Sequence, residues 1–177
     1  DLVIGTDGLH STIRKLTFGD EFIFSREFGV YLSVFSIPNF LNLDACEIEH
    51  HSFRKFVNLY RDGNDINAKV AMAFSIDKPF YSRDQNEQKK LIEEIFANSD
   101  WEMSRILEAM KDSSDFYFDS MAQIHMPLWS KDRVTLVGDA AYSATPMSGQ
   151  GTSIAIAGAY VLAGELSDAE GDYQVAF

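Results

Sequence analysis

The stretch with the most chemical content is Val137-Gly138-Asp139-Ala140-Ala141, followed by Pro146 and by Gly149-Gln150-Gly151-Thr152 at the head of a helix expected from Thr152 to about Leu166. An apolar run ending at Gly138 predicts a parallel strand whose carboxyl end carries Asp139. Open α/β folds bind ligands at that edge, where a carboxylate can accept hydrogen bonds from sugar-alcohol hydroxyls. Ala140 and Ala141 leave room for a ligand chain. Gly149 and Gly151 permit a backbone approach that a side chain would block, and the helix start offers unpaired N–H groups with a partial positive charge. An electron-rich ring edge would be stabilised there. Small residues along the helix, Ala155, Ala157, Gly158, Ala159, Ala163 and Gly164, allow close packing on a sheet, although each glycine costs about 1 kcal/mol relative to Ala. A second turn of related character, Gly5-Thr6-Asp7-Gly8, follows the apolar run Asp1–Ile4. Asp-Gly alone is a common turn, so its weight comes from context. No side chain in either stretch declares itself a general base.

These segments need elements to position them. Asp1–Ile4 resembles a buried parallel strand, and a short helix begins near Ser11, whose hydroxyl can cap free N–H groups. After Gly19-Asp20 the pattern turns to strands at Val30–Ile37, Ala45–His50, Lys55–Tyr60 and Ala68–Ile76, the last two joined by a hairpin-like turn through Arg61-Asp62-Gly63-Asn64-Asp65. Val70, Met72, Phe74 and Ile76 share one face by the two-residue period, which predicts an antiparallel sheet covered on one side. From Asp84 to Lys111 the period becomes helical, with stripes at Leu91, Ile92, Ile95, Phe96 and at Ile106, Leu107, Met110 around a break near Asn98-Ser99-Asp100. A strand at Phe116–Met126 sets Phe116, Phe118, Ala122, Ile124 and Met126 against a second face of Tyr117, Asp119, Met121, Gln123 and His125. Pro127–Asp132 reads as a connection, and Arg133–Val137 as a second buried parallel strand. The middle of the chain is therefore an insertion between two pieces of one α/β domain.

Composition narrows the partners. Acidic residues outnumber basic ones 27 to 15, a net charge of −12 that repels phosphate backbones and anionic membrane surfaces, so nucleic acid is not an expected ligand. A single cysteine, Cys46, permits no internal disulfide, and no Cys/His spacing fits a structural zinc site, which suits a reducing cytoplasm. The longest apolar stretch, Ile154 to Leu166, is too short and too rich in Ala and Gly for a membrane span. No metal is expected at His50-His51, since neighbours on a strand point to opposite faces. Phe28, Tyr31, Phe35 and Phe40 read as core aromatics, and Glu87 to Glu94 as a solvated helix face. The chain opens on a strand without a Met and closes on the first turn of an amphipathic helix at Asp172–Phe177, so it is read as a fragment.

At this point the residues carry a resemblance. Arg133–Ala141 with Pro146 and Gly149-Gln150-Gly151 resembles the second flavin motif of the FAD-dependent aromatic hydroxylases, the para-hydroxybenzoate hydroxylase-like class A flavin monooxygenases. Asp1–Gly8, with Ser11 and Arg14 behind it, resembles that family's Asp-Gly motif, which lies between the flavin and nicotinamide-nucleotide sites. The resemblance covers essentially the whole chain. It implies an α/β, Rossmann-like FAD-binding domain, incomplete because its N-terminal part is absent, in pieces 1–19 and 129–177. An α+β substrate domain at 20–128, with an antiparallel sheet over the flavin, interrupts it. It further implies that Asp139 binds the ribityl chain, that backbone near Gly138 and Ala140 faces the pyrophosphate, and that Pro146 borders the reactive flavin face. Gly149, Gln150, Gly151 and Thr152 would hold the pyrimidine end of the ring. Asp7 and Gly8 would support the cofactor region, with Asp7 affecting NADH or NADPH binding. Tyr117, Gln123 and His125 are weaker candidates for substrate contact, with a satisfied structural face as the competing reading. In such an enzyme the nicotinamide reduces FAD, and a flavin C4a-hydroperoxide transfers oxygen to a planar, mostly apolar or aromatic small molecule. An oxidase or dehydrogenase on the same fold and a non-catalytic interaction fragment are the other readings. Two departures stand out. Tyr142 and Ala157-Gly158-Ala159 replace the His and the acidic-Asp-Ala run of many members, a difference of subgroup more than of function. No Gly-x-Gly-x-x-Gly follows a strand, so this chain alone is expected to bind FAD weakly or not at all.

Overall fold

The computed structural model describes every residue of 1–177 except 62 and 64. The chain divides into two compact units, 1–28 with 121–177 and 29–120.

In the first unit, β1 (Val3–Gly5) runs into α1 (Thr12–Phe18), capped by the Ser11 side chain, which accepts from the Arg14 N–H. Strand β1 pairs in parallel with β8 (Val134–Leu136), in register Val3 with Val134 and Gly5 with Leu136. The parallel pairing follows the expectation, but the expected burial does not. Val3 and Ile4 are each 46% exposed, and β1 is the outer strand of its sheet, paired only with β8 among the described residues. Strand β7 (Ser130–Lys131) lies inside the expected connection and turns antiparallel onto β8 through Asp132, a left-handed residue at φ 54°. After β8, Gly138 caps α4 (Asp139–Tyr142), a one-turn helix. A 3-10 turn at Pro146–Ser148 then leads to α5 (Gly151–Asp168), and α6 (Tyr173–Ala176) is capped by the Asp172 side chain. Leu136, Ala140 and Ala141 form the small core, with Ile13, Phe18, Met126 and Tyr142 packed on it.

The second unit holds most of a five-stranded sheet of order β3-β4-β5-β2-β6, built from β2 (Ser25–Pro38), β3 (Glu47–Ser52), β4 (Lys55–Tyr60), β5 (Asn67–Ser75) and β6 (Tyr117–Ile124). Strand β4 has the expected ends, β3 starts two residues late, and β2 is longer than its apolar run. The β4–β5 ladder ends with Tyr60 opposite Lys69, while Asp62 and Asn64 of the expected turn lie outside the described residues. Helices α2 (Gln85–Phe96) and α3 (Met103–Lys111) break where expected and bury Ile92, Phe96, Ile106 and Met110 against Tyr31, Phe35, Val70, Met72 and Phe74. Gln88 is buried within the otherwise solvated helix face and donates from Nε2 to the Ser82 carbonyl at 2.9 Å. Contrary to expectation, Phe28 does not join the core. It is half exposed because β2 buries the alternate set Tyr31, Ser33, Phe35 and Ile37. On β6 the expected polar face is broken by Met121, buried beside Ala122 on the opposite face. His50 stacks on Trp101 with ring centroids 5.5 Å apart, and His51 meets Glu49 at 3.2 Å.

Candidate functional site

The two motifs, far apart in sequence, line one cleft of about 690 Å³ in the first unit. Gly8 comes from the turn after β1, Gly138 and Asp139 from the head of α4, and Pro146, Gly149, Gly151 and Thr152 from the turn into α5. Thr6, Val137, Ser143, Thr145, Ala155, Ile156 and Ala159 complete the wall. Asp139 is exposed at the start of α4, so its carboxylate stands free at the carboxyl end of β8, as the strand pattern requires. No side chain caps α5, which leaves first-turn N–H groups beside Gly151 and Thr152 for a ligand.

Three residues expected to bind the cofactor do not line the cleft. Ala140 is fully buried, and its carbonyl accepts from Arg14 Nη1 at 2.9 Å. Gln150 is exposed and its backbone N–H donates to Ser148 Oγ at 3.1 Å. Asp7 spends its carboxylate on α1: Oδ1 accepts from the Ser11 hydroxyl and Oδ2 from the Ile13 N–H at 3.1 Å. Burial pushes the Asp7 pKa up, but the bonds from Ser11, Ile13 and neighbouring backbone outweigh it and hold the carboxyl below its ordinary value. Tyr117, Gln123 and His125 are also outside the cleft wall. Tyr117, in the second unit, donates its hydroxyl to Asp119 at 3.2 Å. Gln123 and His125, in the first, meet each other at 2.9 Å, and Gln123 Nε2 points to the Ala144 carbonyl at 3.5 Å.

Of the cleft residues that the sequence did not single out, Thr145 is the most unusual. It lines the cleft, is 7% exposed, and its Oγ1 has no hydrogen-bond partner. Its backbone stands at φ 69° and ψ 144°, a region that costs a β-branched residue on the order of 1–3 kcal/mol and is tolerated where the surroundings enforce it. Its place directly before Pro146 disfavours the helical region but does not call for a positive φ, so the sequence carries no local signal for it. In the sequence Arg14 stands out only as part of a motif. It is fully buried and joins the two motifs: Nη1 to Ala140, Nη2 to the Leu9 carbonyl, and Nη2 to Glu21 at 2.9 Å.

Residues 1–172 match the family model described as FAD binding domain. Over 178 aligned residues the chain is 46% identical to a flavin-dependent monooxygenase from an unknown prokaryotic organism, covering 100% of this chain and 46% of that protein. It is 42% identical to a flavin-dependent monooxygenase of Legionella longbeachae, with the same coverage of both. Among solved structures, the tetracycline destructase Tet(51) superimposes with a TM-score of 0.92 at 46% identity, over 100% of this chain and 48% of that one. The chain thus spans just under half the length of these relatives.

Proposed function

This chain belongs to the FAD binding domain family, and from that premise we propose that the full-length protein is an FAD-dependent monooxygenase. It uses NADH or NADPH and oxygen to hydroxylate a planar, mostly apolar or aromatic small molecule. The observation that carries the reading is the single cleft shared by Gly8 and the Gly138–Thr152 stretch, with a free carboxylate at one wall and uncapped helix N–H groups at another. We assign the expected pieces 1–19 and 129–177 to the FAD-binding domain and 20–128 to the substrate domain; the compact units 1–28 with 121–177 and 29–120 divide the chain near those bounds.

The residues present fit a flavin nucleotide. The cleft falls within the roughly 300–1,000 Å³ of small-molecule sites. A Cβ at Gly8 or Gly149 would meet nothing within 4 Å, so both backbones are open to a ligand. Asp139 would accept hydrogen bonds from the ribityl hydroxyls, and Thr145 offers a buried hydroxyl that lacks a partner. The backbone of Gly149–Thr152 would hold the pyrimidine edge with Pro146 beside the ring, and the positive end of α5 would favour added negative charge there. When bound, FAD supplies hydride acceptance from the nicotinamide and oxygen activation. Asp7, committed to Ser11 and Ile13, contributes by fixing the turn that presents Gly8.

No helix among the described residues is long and apolar enough to cross a membrane. With a net charge of −12 and one exposed cysteine, we place the protein in the cytoplasm with a small-molecule partner and no nucleic acid. The test is the purified full-length protein. Bound-flavin bands at about 375 and 450 nm, NAD(P)H consumption and label from isotopic dioxygen in the product support hydroxylation. The likeness to Tet(51) makes a tetracycline the first compound to try. Colourless protein that takes up no added FAD refutes the reading. Flavin turnover without oxygen in the product points instead to an oxidase or dehydrogenase.

A further inference from the structure

Helix α5 is apolar and rich in small residues, yet none of its eighteen residues is buried among the described residues. A buried face therefore does not fix where it sits. Shape does. Tyr142, the last residue of α4, has a buried hydroxyl with no hydrogen-bond partner. A Cβ on Gly158 would stand 1.8 Å from that oxygen and 2.8 Å from the ring carbon bearing it, so the phenol tip fills the space that any side chain at 158 requires. The edge of the ring meets Trp129, with centroids 4.9 Å apart and planes at 61°, which holds the phenol from another side. Nearer the cleft, a Cβ on Gly138 would lie 3.3 Å from the Ala155 Cβ, a second close approach between the same two segments.

These contacts bear on the cleft because α5 is a rod. Gly151, Thr152, Ala155, Ile156 and Ala159 line it, and Gly158 sits about two turns from the first of them. A displacement at Gly158 is carried to the first turn. The contact has no hydrogen bond to specify it, only the complementarity of a ring tip and a missing side chain. A glycine in mid-helix weakens the helix itself, so its place here is explained by what it admits.

We propose that Tyr142 and Gly158 form a key and notch that sets the spacing between Asp139 on α4 and the first-turn N–H groups of α5. Tyr142 is thereby a positioning residue for the cofactor cleft. This rests on the FAD reading above. In the full-length protein, the FAD dissociation constant, the visible circular dichroism of bound flavin and the melting temperature of flavin-free protein are measured for Gly158→Ala, Tyr142→Phe, Tyr142→Ala and the two doubles. Gly158→Ala weakens FAD binding by about tenfold or more and changes the dichroism of bound flavin at saturation. Tyr142→Ala/Gly158→Ala binds FAD within about threefold of Tyr142→Ala, because the clash is gone. Tyr142→Phe/Gly158→Ala lies between, because the ring carbon remains in the way.

Wild-type affinity and dichroism in Gly158→Ala overturn the inference, as does an equal loss in the Tyr142→Ala background. A lower melting temperature with flavin affinity and dichroism unchanged makes the contact merely structural and also overturns it. Should Gly158→Ala not accumulate as folded protein, recovery in Tyr142→Ala/Gly158→Ala supports the key and notch, and failure to recover overturns it. A wild-type protein that binds no FAD removes the cofactor reading itself and takes this inference with it. A wild type that binds FAD with additive variants removes the key and notch alone.

Discussion

The Arg14 guanidinium donates from Nη1 to the carbonyl of Ala140 at 2.9 Å, joining residues 126 positions apart. Helix α4 ends at Tyr142, too early for residue 144 to return a helical hydrogen bond to that carbonyl. Arg14 supplies the missing donor and puts a cation at the helix's negative end. Behind it, Asp7 holds Ser11, and Ser11 accepts the Arg14 N–H at 2.9 Å, so the two motifs share one hydrogen-bonded path. Burial draws the Arg14 pKa down and Glu21 draws it back up, with the net direction downward; an arginine stays charged regardless.

Removing Arg14 should therefore cost stability before chemistry. Arg14→Met leaves Glu21 and the Leu9 and Ala140 carbonyls without their charged donor, and a loss of about 3 kcal/mol is expected in urea unfolding of the full-length protein. Arg14→Lys should recover only part, because a single ammonium cannot span three acceptors held by a planar fork. Full recovery by lysine would show that only the charge matters.

Asp115 makes a different, pH-dependent contribution. It accepts from Lys69 Nζ at 2.6 Å, from Ser36 Oγ at 2.7 Å, and from the Ser36 N–H and Ser113 Oγ at 2.8 Å each. The Lys69 ammonium, then Ser36, holds the carboxyl well below the usual carboxylate range against the opposing effect of burial. A depressed folded pKa means stabilisation that is complete above the unfolded value of about 3.9 and is lost as pH falls towards the folded one. The side chains are 36% and 40% exposed, so solvent screening limits the pair to about 1 kcal/mol. Unfolding free energies should thus separate wild type from Asp115→Asn at about pH 7, and the gap should narrow by about pH 3. A gap independent of pH would mean that Asp115 is not the titrating group.

The sequence made some of this legible and hid the rest for identifiable reasons. Strand β4 and the α2–α3 pair were readable because their apolar residues recur with the period of the element, Val57 and Leu59 in one, Ile92, Phe96, Ile106 and Met110 in the others. Gly8, Gly138, Asp139, Pro146, Gly149, Gly151 and Thr152 converge on one cleft because backbone requirements at a strand end and a helix start fix both residue type and spacing. Burial of Val3 and Ile4 was misjudged because an apolar run reports what a strand can cover, and the cover must come from elsewhere. The roles of Arg14 and Thr145 depend on partners distant in sequence, or on the lack of one, and neither leaves a local pattern.

Gly138 should tolerate no substitution. It lies at φ 67° and ψ −142°, where a side chain costs on the order of 1–3 kcal/mol, and its Cβ would press on Ala155 at 3.3 Å. Gly138→Ala is expected to lower the melting temperature of the full-length protein by several degrees and to weaken FAD binding, since strain and crowding fall at the cleft wall. Unchanged melting with normal flavin uptake would mean that the turn relaxes around the new methyl.

Asp139 offers the complementary experiment, a change in binding without a change in fold. Its carboxylate is exposed and starts a one-turn helix whose N-cap, Gly138, has no side chain to contribute. Asp139→Ala should then leave the flavin-free melting temperature within a few degrees, the loss being that of an acidic residue in the first turn, worth about 0.3–1 kcal/mol. FAD affinity should fall by about ten- to a hundredfold, the equivalent of one charge-assisted hydrogen bond to a hydroxyl. Asp139→Asn, which keeps an acceptor oxygen but not the charge, should fall between. Equal FAD affinity in all three proteins would remove Asp139 from the cofactor site and leave its place at the end of β8 as a matter of helix capping alone.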